Sequence, residues 1–400
     1  MAVVTLPQKI KEVLERGVEE VIDRGHLEQE LKSGRQLRMK LGFDPTGTKI
    51  HIGRAIVLRK LRAFQDLGHK AVFIVGDFTA RIGDPSDKLS KRPMLSASEV
   101  KENLKNYKKQ IGRIIDLKKA EFHFNGKWLK KLGLEEMGDL AESFSIQQML
   151  KRRNFSERIK KDEEISLREM FYPLMQGYDS VAVKADVELG GFDQLFNLKA
   201  GRVIQRHYGQ KEQDILICEM LEGTDGRKMS TSWGNVINIT DEPNDMFGKI
   251  MSVRDELIGK YFLLCTDIDE KEIEKIGKAI EDRTINPKDA KLRLAKEIVA
   301  IYHGEKASQK AENEWDRVFH SKELPSEMKT FKVGGKNINI VDLLVATELA
   351  TSKGEARRLI EQGGIKIDEH KILDHTKTIE ISSAGHVLQV GKRHFVKVVV

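Results

Sequence analysis

Gly42-Phe43-Asp44-Pro45-Thr46-Gly47-Thr48-Lys49-Ile50-His51-Ile52-Gly53-Arg54 joins an apolar run ending at Leu41 to a segment with helical spacing, and its reading decides the fold. Before it, Leu37 to Leu41 reads as a short strand. After the glycine-containing turn from Gly42 to Ile52, Gly53 to Leu67 reads as a helix and Ala71 to Val75 as a second strand. Strand, helix, strand is one unit of a parallel sheet. The same order recurs later, with strands expected at Val181 to Leu189 and Asp214 to Glu222 around a helix from Leu195 to Tyr208. The expectation is an α/β fold with a Rossmann-type doubly wound parallel sheet, whose ligands sit at the carboxyl ends of the strands.

Outward from this core, Ile10, Val13, Leu14, Val18, Val21 and Ile22 recur at helical spacing, which predicts N-terminal helices over 1–34 packing on the core. The Rossmann-type catalytic domain is expected over 35–240. A strand-poor stretch over 241–322 predicts an all-helical domain. Pro325, Gly334 and Gly335 mark a linker over 323–335, and 336–400 reads as a small α+β module of two short helices followed by strands. At 400 residues the chain is long enough for several such parts. No apolar run approaches a membrane span, and Met1 to Val13 lacks a signal-peptide pattern. The two cysteines, Cys218 and Cys265, lie far apart in apolar stretches, which excludes a disulfide framework and a paired-cysteine zinc site. A cytoplasmic protein without protein-bound metal is expected. The net charge of +7 permits a nucleic-acid partner without requiring one.

In the opening turn, backbone amides, a helix N-terminus and the His51 imidazole converge, which suits a phosphate. Gly53 lets a nucleotide approach the backbone closely. Taken alone, a single His before a helix is most often a cap or a surface residue. A second loop, Gly226-Arg227-Lys228-Met229-Ser230-Thr231-Ser232-Trp233-Gly234-Asn235, carries a lysine and hydroxyls but not the glycine spacing of a Walker A loop. Its bland reading is a solvated loop. A lysine closing over the β- and γ-phosphates is nevertheless what nucleotidyl transfer needs, because charge develops there as pyrophosphate leaves.

Taken together, His51-Ile52-Gly53-Arg54 and Lys228-Met229-Ser230-Thr231-Ser232 resemble the two signatures of class I aminoacyl-tRNA synthetases. Arg54 stands where a histidine is usual, and Thr231 where a second lysine is usual. Lys88 and Arg92 fall where the bacterial tyrosyl enzymes carry residues that clasp pyrophosphate. Tyr172, Gln176 and Asp179 share one helix face at i, i+4 and i+7, and in isolation such a spacing is an ordinary half-polar face. Their stretch, Tyr172 to Asp179, resembles the tyrosine-binding helix of bacterial tyrosyl-tRNA synthetases. That resemblance implies that Tyr172 and Gln176 hold the substrate amino group, with Thr79 and Asp84, and that Asp179 accepts the phenol proton. It also implies an ATP and adenylate site of Gly42, Asp44, His51, Gly53, Gly191, Asp193, Gln194, Lys228 and Met229, with Ser230 and Thr231 in the catalytic loop. Phe192 replaces a small hydroxyl residue beside it. Lys40 replaces a phenol-contacting tyrosine, and either donates to the phenol oxygen or points away.

The C-terminal stretch from Ile338 to Ile367 resembles the S-four-type RNA-binding module, with Lys353, Arg357, Arg358 and Lys366 as its RNA-facing residues. Ten basic and eight acidic residues from Lys336 onward leave a net charge of only +2, so contact there is expected to be local and shape-dependent. The basic run Lys151, Arg152, Arg153, Arg158, Lys160 and Lys161 reads either as a solvated helix end or as a track for the tRNA acceptor stem. The family resemblance covers residue 30 to the C-terminus. It implies a homodimer that activates L-tyrosine with Mg2+-bound ATP and loads it onto tRNA(Tyr), with 241–322 on the anticodon side. A buried aspartate left unpaired by phenylalanine costs far more than a lost methylene. Discrimination of about ten-thousand-fold or better then needs no editing domain, a tyrosine-selecting synthetase being the reference case for that figure. The rival readings are a tryptophanyl enzyme, disfavoured by Asp179 and the C-terminal module, and an RNA-binding protein that keeps the fold without the activity.

Overall fold

The computed structural model describes residues 3–86, 95–230, 233–319, 324, 328–382, 384–391 and 394–400. Contacts divide the chain into two compact units, Met1–Glu305 and Lys306–Val400.

The first unit is built on a six-stranded sheet of β1 (Val18–Ile22), β2 (Arg38–Phe43), β3 (Lys70–Val75), β4 (Glu121–Phe124), β5 (Val187–Gly191) and β6 (Asp214–Cys218), in the order β1-β6-β5-β2-β3-β4. The pairings β2–β3, β3–β4, β2–β5 and β5–β6 are parallel. The chain therefore steps outward from β2 through β3 to β4, then returns to the other side of β2 for β5 and β6. That reversal opens a crevice between the carboxyl ends of β2 and β5. Runs such as Ala71 to Val75, buried along their length, form central strands because helices cover both faces. The helix Ile52–Asp66 buries Ile52, Ala55, Ile56, Leu58, Leu61 and Phe64 at i, i+3, i+4 spacing.

The N-terminal segment departs from the all-helical expectation. Between the helices Pro7–Glu15 and Arg24–Lys32 lies β1, antiparallel to β6. Gly17 breaks the helix at φ +60°, where an added Cβ would stand 2.8 Å from Leu264 Cδ2. Val18, Val21 and Ile22 then serve a sheet edge; short apolar spacing alone does not separate the two periods. The same ambiguity corrects Val181 to Leu189. The helix Tyr172–Val183 runs further than expected, Lys184 ends it at φ 50°, and the strand begins only at Val187. The edge strand β4, whose burial does not alternate, had no sequence signal.

The helices Pro243–Met251, Ile258–Cys265, Glu270–Glu281 and Pro287–His303 belong to the same compact unit as the sheet. The Arg16 guanidinium donates to the carbonyls of Leu263, Thr266 and Ile268 at 3.2, 2.9 and 2.7 Å, and the Tyr261 hydroxyl donates to the Glu222 carbonyl at 2.8 Å.

The second unit holds the helices Ile340–Ala346 and Lys353–Glu361 against strands β7 (Lys329–Lys332), β8 (Asn337–Asn339), β9 (Ile365–Ile367), β10 (His370–Ile372), β11 (Thr378–Glu380), β12 (His386–Val390) and β13 (His394–Val399). One sheet runs β10-β9-β12-β13-β7, and β8 pairs with β11. Its core includes Ile340, Leu343, Leu344, Ile360, Ile365, Leu388 and Val398. Residues 329–332, expected within a linker, form β7 parallel to β13. Alternation along Lys329-Thr330-Phe331-Lys332 is weak because only Phe331 turns inward.

Candidate active site

A cleft of about 580 Å³ opens at the carboxyl ends of β2, β3 and β5, a volume typical of small-molecule sites. It is lined by Lys40, Gly42, Asp44, His51, Gly53, Arg54, Thr79, Asp84, Tyr172, Gln176, Asp179, Gly191, Asp193, Gln194, Lys228, Met229 and Ser230. Residues from well-separated stretches of the sequence thus meet in one place. Lys88, Arg92 and Thr231 lie outside the described residues.

One end of the cleft is built for an anion. The Ile52 amide donates to the Ile237 carbonyl at 2.8 Å, and the Ile239 amide to Ile50 at 2.9 Å, so the turn before the helix is pinned to a second segment of chain. His51 is the N-cap, and its Nδ1 accepts the Arg54 amide at 3.3 Å. The ring proton then belongs on Nε2, available as a donor. Burial, and after it the Arg54 charge, pushes the imidazole down to about 3, so His51 acts as a neutral donor throughout the physiological range. A Cβ on Gly53 would stand 3.1 Å from both His51 Nδ1 and Met229 Sδ, whereas one on Gly42 would meet nothing within 4 Å and would fill cleft space instead. Arg54 reaches Thr46 Oγ1 at 3.4 Å and Tyr107 Oη at 3.5 Å. Across the cleft Lys228 Nζ stands 3.7 Å from Asp193 Oδ2. Its loop is fixed by Asn235, which accepts the Ser230 amide at 2.8 Å and donates to Asp225 at 2.8 Å and to the Lys228 carbonyl at 3.1 Å.

The other end is a polar network in which Thr79, Asp84, Asn125, Tyr172 and Asp179 are buried. Asp179 accepts from Trp128 Nε1 at 2.7 Å and from Asn125 Nδ2 at 3.2 Å. Burial pushes its carboxyl up to about 6 despite the opposing Lys40 charge and these two hydrogen bonds. Asn125 also donates to Thr79 at 3.0 Å. Thr79 in turn donates to Asp44 at 2.6 Å, and the Tyr172 hydroxyl donates to the other Asp44 oxygen at 2.9 Å. Gly76 makes room for this junction, since a Cβ there would fall 1.9 Å from Asp44 Oδ1 and 2.3 Å from Thr79 Oγ1. Asp84 accepts from Gln194 Nε2 at 2.7 Å and from the Ser86 amide at 2.9 Å. Burial first, then the charges of Asp44, Asp84 and Asp179, hold the Tyr172 phenol well above its usual range. Several carboxylates around one neutral hydroxyl in a desolvated pocket favour a cationic ligand. Among the described residues, no three His, Cys, Asp or Glu side chains are grouped to hold a metal ion.

Several sequence expectations are redirected by these contacts. Asp44 and Gln194, expected on the nucleotide, also brace the polar end. Of the two alternatives for Lys40, the structure takes the second. Its ammonium is fully buried and bonded to Gln176 O, Ser180 Oγ and Glu188 Oε1, so no donor remains for a phenol. Phe192 is half exposed and does not line the cleft. In the basic run, Arg152 and Arg158 are internal and face no solvent. Arg152 donates to Ser86 and Asn197 and stacks over Phe196, and Arg158 pairs with Glu169. Lys151, Arg153, Lys160 and Lys161 are exposed. Helical spacing concealed this split because charged residues drawn inward by polar partners leave no apolar periodicity to read. In the second unit Arg357 and Arg358 are exposed, Lys366 is half-buried, and Lys353 pairs with Asp342 at 2.8 Å.

Trp128, Asn125 and Glu188 were not foreseen. Asn125-Gly126 is a turn signal that directly follows Phe122 and Phe124, but without a sequence signal for β4 it did not place Asn125 or Trp128 at the end of a strand. No sequence signal marked Glu188.

Residues 32–320 match the family described as tRNA synthetases class I (W and Y), and residues 321–398 the tyrosine–tRNA ligase SYY-like C-terminal domain. A tyrosine–tRNA ligase of Thermotoga maritima is 47% identical over 393 residues, with 98% of each chain covered. Tyrosine–tRNA ligase 2 of Clostridium acetobutylicum is 44% identical over 400 residues, with 99% of each covered. The tyrosyl-tRNA synthetase of Archaeoglobus fulgidus, solved with L-tyrosine, superposes with a TM-score of 0.62 at 21% identity, over 77% of this chain and all of that one.

Proposed function

The chain belongs to the class I tRNA synthetases of the tryptophan and tyrosine group, as a tyrosine–tRNA ligase, and from that membership we propose how its own residues carry the reaction. The observation that carries the reading is that one cleft joins a buried carboxylate with two fixed donors, Asp179, to an anion site capped by His51. Asp179 accepts the phenol hydroxyl of tyrosine. Asp84, Tyr172, Gln176 and Thr79 receive the ammonium, with Asp44 behind them. The tyrosine carboxylate is then held in line with the α-phosphorus of ATP, whose Mg2+ arrives with it as part of the substrate. Gly42, Asp44, Gly53, Gly191, Asp193, Gln194 and Met229 shape the nucleotide site. No covalent enzyme intermediate is needed, because positioning and charge stabilisation lower the barrier. His51 Nε2–H, Arg54, Lys228 and Ser230, with Lys88, Arg92 and Thr231 from the sequence pattern, stabilise the departing pyrophosphate. The terminal ribose hydroxyl of tRNA(Tyr) attacks the carbonyl carbon of the adenylate, forming the ester as the bond to phosphate breaks and AMP leaves.

A tryptophanyl specificity is disfavoured, because residues 321–398 match a tyrosine–tRNA ligase C-terminal domain and the relatives at 44–47% identity over the length of the chain are tyrosine–tRNA ligases. We assign RNA contact to the C-terminal unit through Arg357, Arg358, Lys366 and Lys353, and tRNA binding across a homodimer in the cytoplasm. Among the described residues no helix is long and apolar enough to cross a membrane.

ATP–pyrophosphate exchange with each of the twenty amino acids tests the assignment. Exchange with tyrosine alone is expected, and exchange with tryptophan would move the pocket reading. Trp128→Phe keeps an aromatic ring, though a smaller one, and deletes the donor to Asp179. It is expected to raise the tyrosine KM about tenfold or more, since a hydrogen bond to a charged group contributes about 1.5–3 kcal/mol, while the ATP KM stays put. An unchanged tyrosine KM would remove Trp128 from the specificity network.

A further inference from the structure

Lys40 and Glu188 face each other across the pair β2–β5, at the crevice where the strand order reverses. Both are sealed from solvent, and Lys40 Nζ stands 2.9 Å from Glu188 Oε1. The other two ammonium donors go to the Gln176 carbonyl at 2.8 Å and to Ser180 Oγ at 2.7 Å, both on the helix Tyr172–Val183. Glu188 also accepts from Ser180 Oγ at 3.2 Å and from Gln176 Nε2 at 3.1 Å, and Gln213 Nε2 donates to it from the far side.

A carboxylate only accepts, so the Gln176 amide must turn its NH2 toward Glu188. Its carbonyl oxygen is then the atom left for a ligand in the cleft that Gln176 lines. An ammonium needs an acceptor there. A flipped amide would aim two N–H groups at a cation.

We infer that Lys40 and Glu188 are a positioning pair for the amino acid, fixing the Gln176 amide so that its oxygen, and not its nitrogen, meets the substrate ammonium. This rests on the tyrosine-site reading above. A well-packed apolar pair fills the same space at equal or better stability, so a buried ion pair is a weak stabilising device. Orientation is what it adds. The pair is electrically neutral as a unit. Its lysine favours ionised Asp179 and its glutamate disfavours it, so the two effects oppose each other at the phenol end.

The test replaces both charges by side chains of similar volume, Lys40→Met with Glu188→Leu, and measures three ligands as competitive inhibitors or substrate in ATP–pyrophosphate exchange. L-Tyrosine and tyramine carry the amino group, and 3-(4-hydroxyphenyl)propanoate lacks it. Tyrosine and tyramine are expected to weaken about tenfold, one hydrogen bond to a charged group, while the propanoate stays within about twofold of the parent. Equal weakening of all three, or no weakening of any, overturns the proposal, the first because it marks a general packing role. Glu188→Gln, which keeps the shape but lets the Gln176 amide turn, provides the same comparison if the double variant folds poorly. Absence of tyrosine exchange in the parent protein would instead sink the function itself.

Discussion

Asp179→Ala is expected to lower kcat/KM for tyrosine in ATP–pyrophosphate exchange about a thousand-fold, with the ATP KM within about twofold. The carboxylate is buried and accepts from both Trp128 and Asn125. Its removal strands those two donors and the substrate phenol together in a dry pocket, and truncating one partner of such a buried charged network costs about 2–5 kcal/mol. Among the described residues Asp179 is joined to the nucleotide-site Asp44 only indirectly, through Asn125 and Thr79, so the effect on ATP affinity is expected to be small. Equal losses for tyrosine and ATP would refute the division of the cleft into two ends.

The same carboxyl gives the site a pH signature. Its proton is held up to about 6 by burial, above the unfolded value of 3.8. Ionised Asp179 is the acceptor, so tyrosine KM is expected to rise as pH falls through about 6. Stability runs the other way for this group. Between pH 4 and 6, roughly the interval between the two values, the folded state binds the proton that the unfolded state releases. The contribution of Asp179 to stability is therefore full below about pH 4 and declines as pH rises through about 6. Asp179→Asn should unfold at neutral pH no more easily than the parent while losing tyrosine selection. The function asks for a charge that the fold pays to keep, which is the usual relation at an active site.

Which parts of this were legible from sequence follows from how local their causes are. The unit β2–helix–β3 was legible because a continuous apolar run, a glycine turn and a 3.6-residue period each speak within a few residues. That Tyr172, Gln176 and Asp179 share one helix was legible from their spacing, whereas their reading as a site came from the family resemblance. β1 was not, because five residues of mixed burial owe their state to β6, almost two hundred positions away. Lys40 was left open because its partners, Ser180 and Glu188, reach it only after the sheet reverses. Arg152 and Arg158 looked like surface charge, and only the fold places Asn197 and Glu169 beside them. Buried polar partnership is long-range information, and it was the part of the site that periodicity did not carry.

Lys228→Ala tests the other end of the cleft. In single-turnover formation of the adenylate its rate is expected to fall about a hundred- to a thousand-fold, the effect of deleting one preorganised group at a developing charge, with tyrosine affinity within about twofold. The ammonium stands 3.7 Å from Asp193, on a loop whose backbone is pinned by Asn235. A cation placed to meet the leaving pyrophosphate contributes most as the α–β bond breaks, and little when tyrosine alone binds. His51 differs in kind. Held neutral by burial, it offers one fixed N–H and no charge, so His51→Ala should cost less than Lys228→Ala in the same assay. Should the order be reversed, or the Lys228 variant form adenylate at the parental rate, the pyrophosphate would be held by the turn at the head of the helix Ile52–Asp66 and not by the loop that faces it.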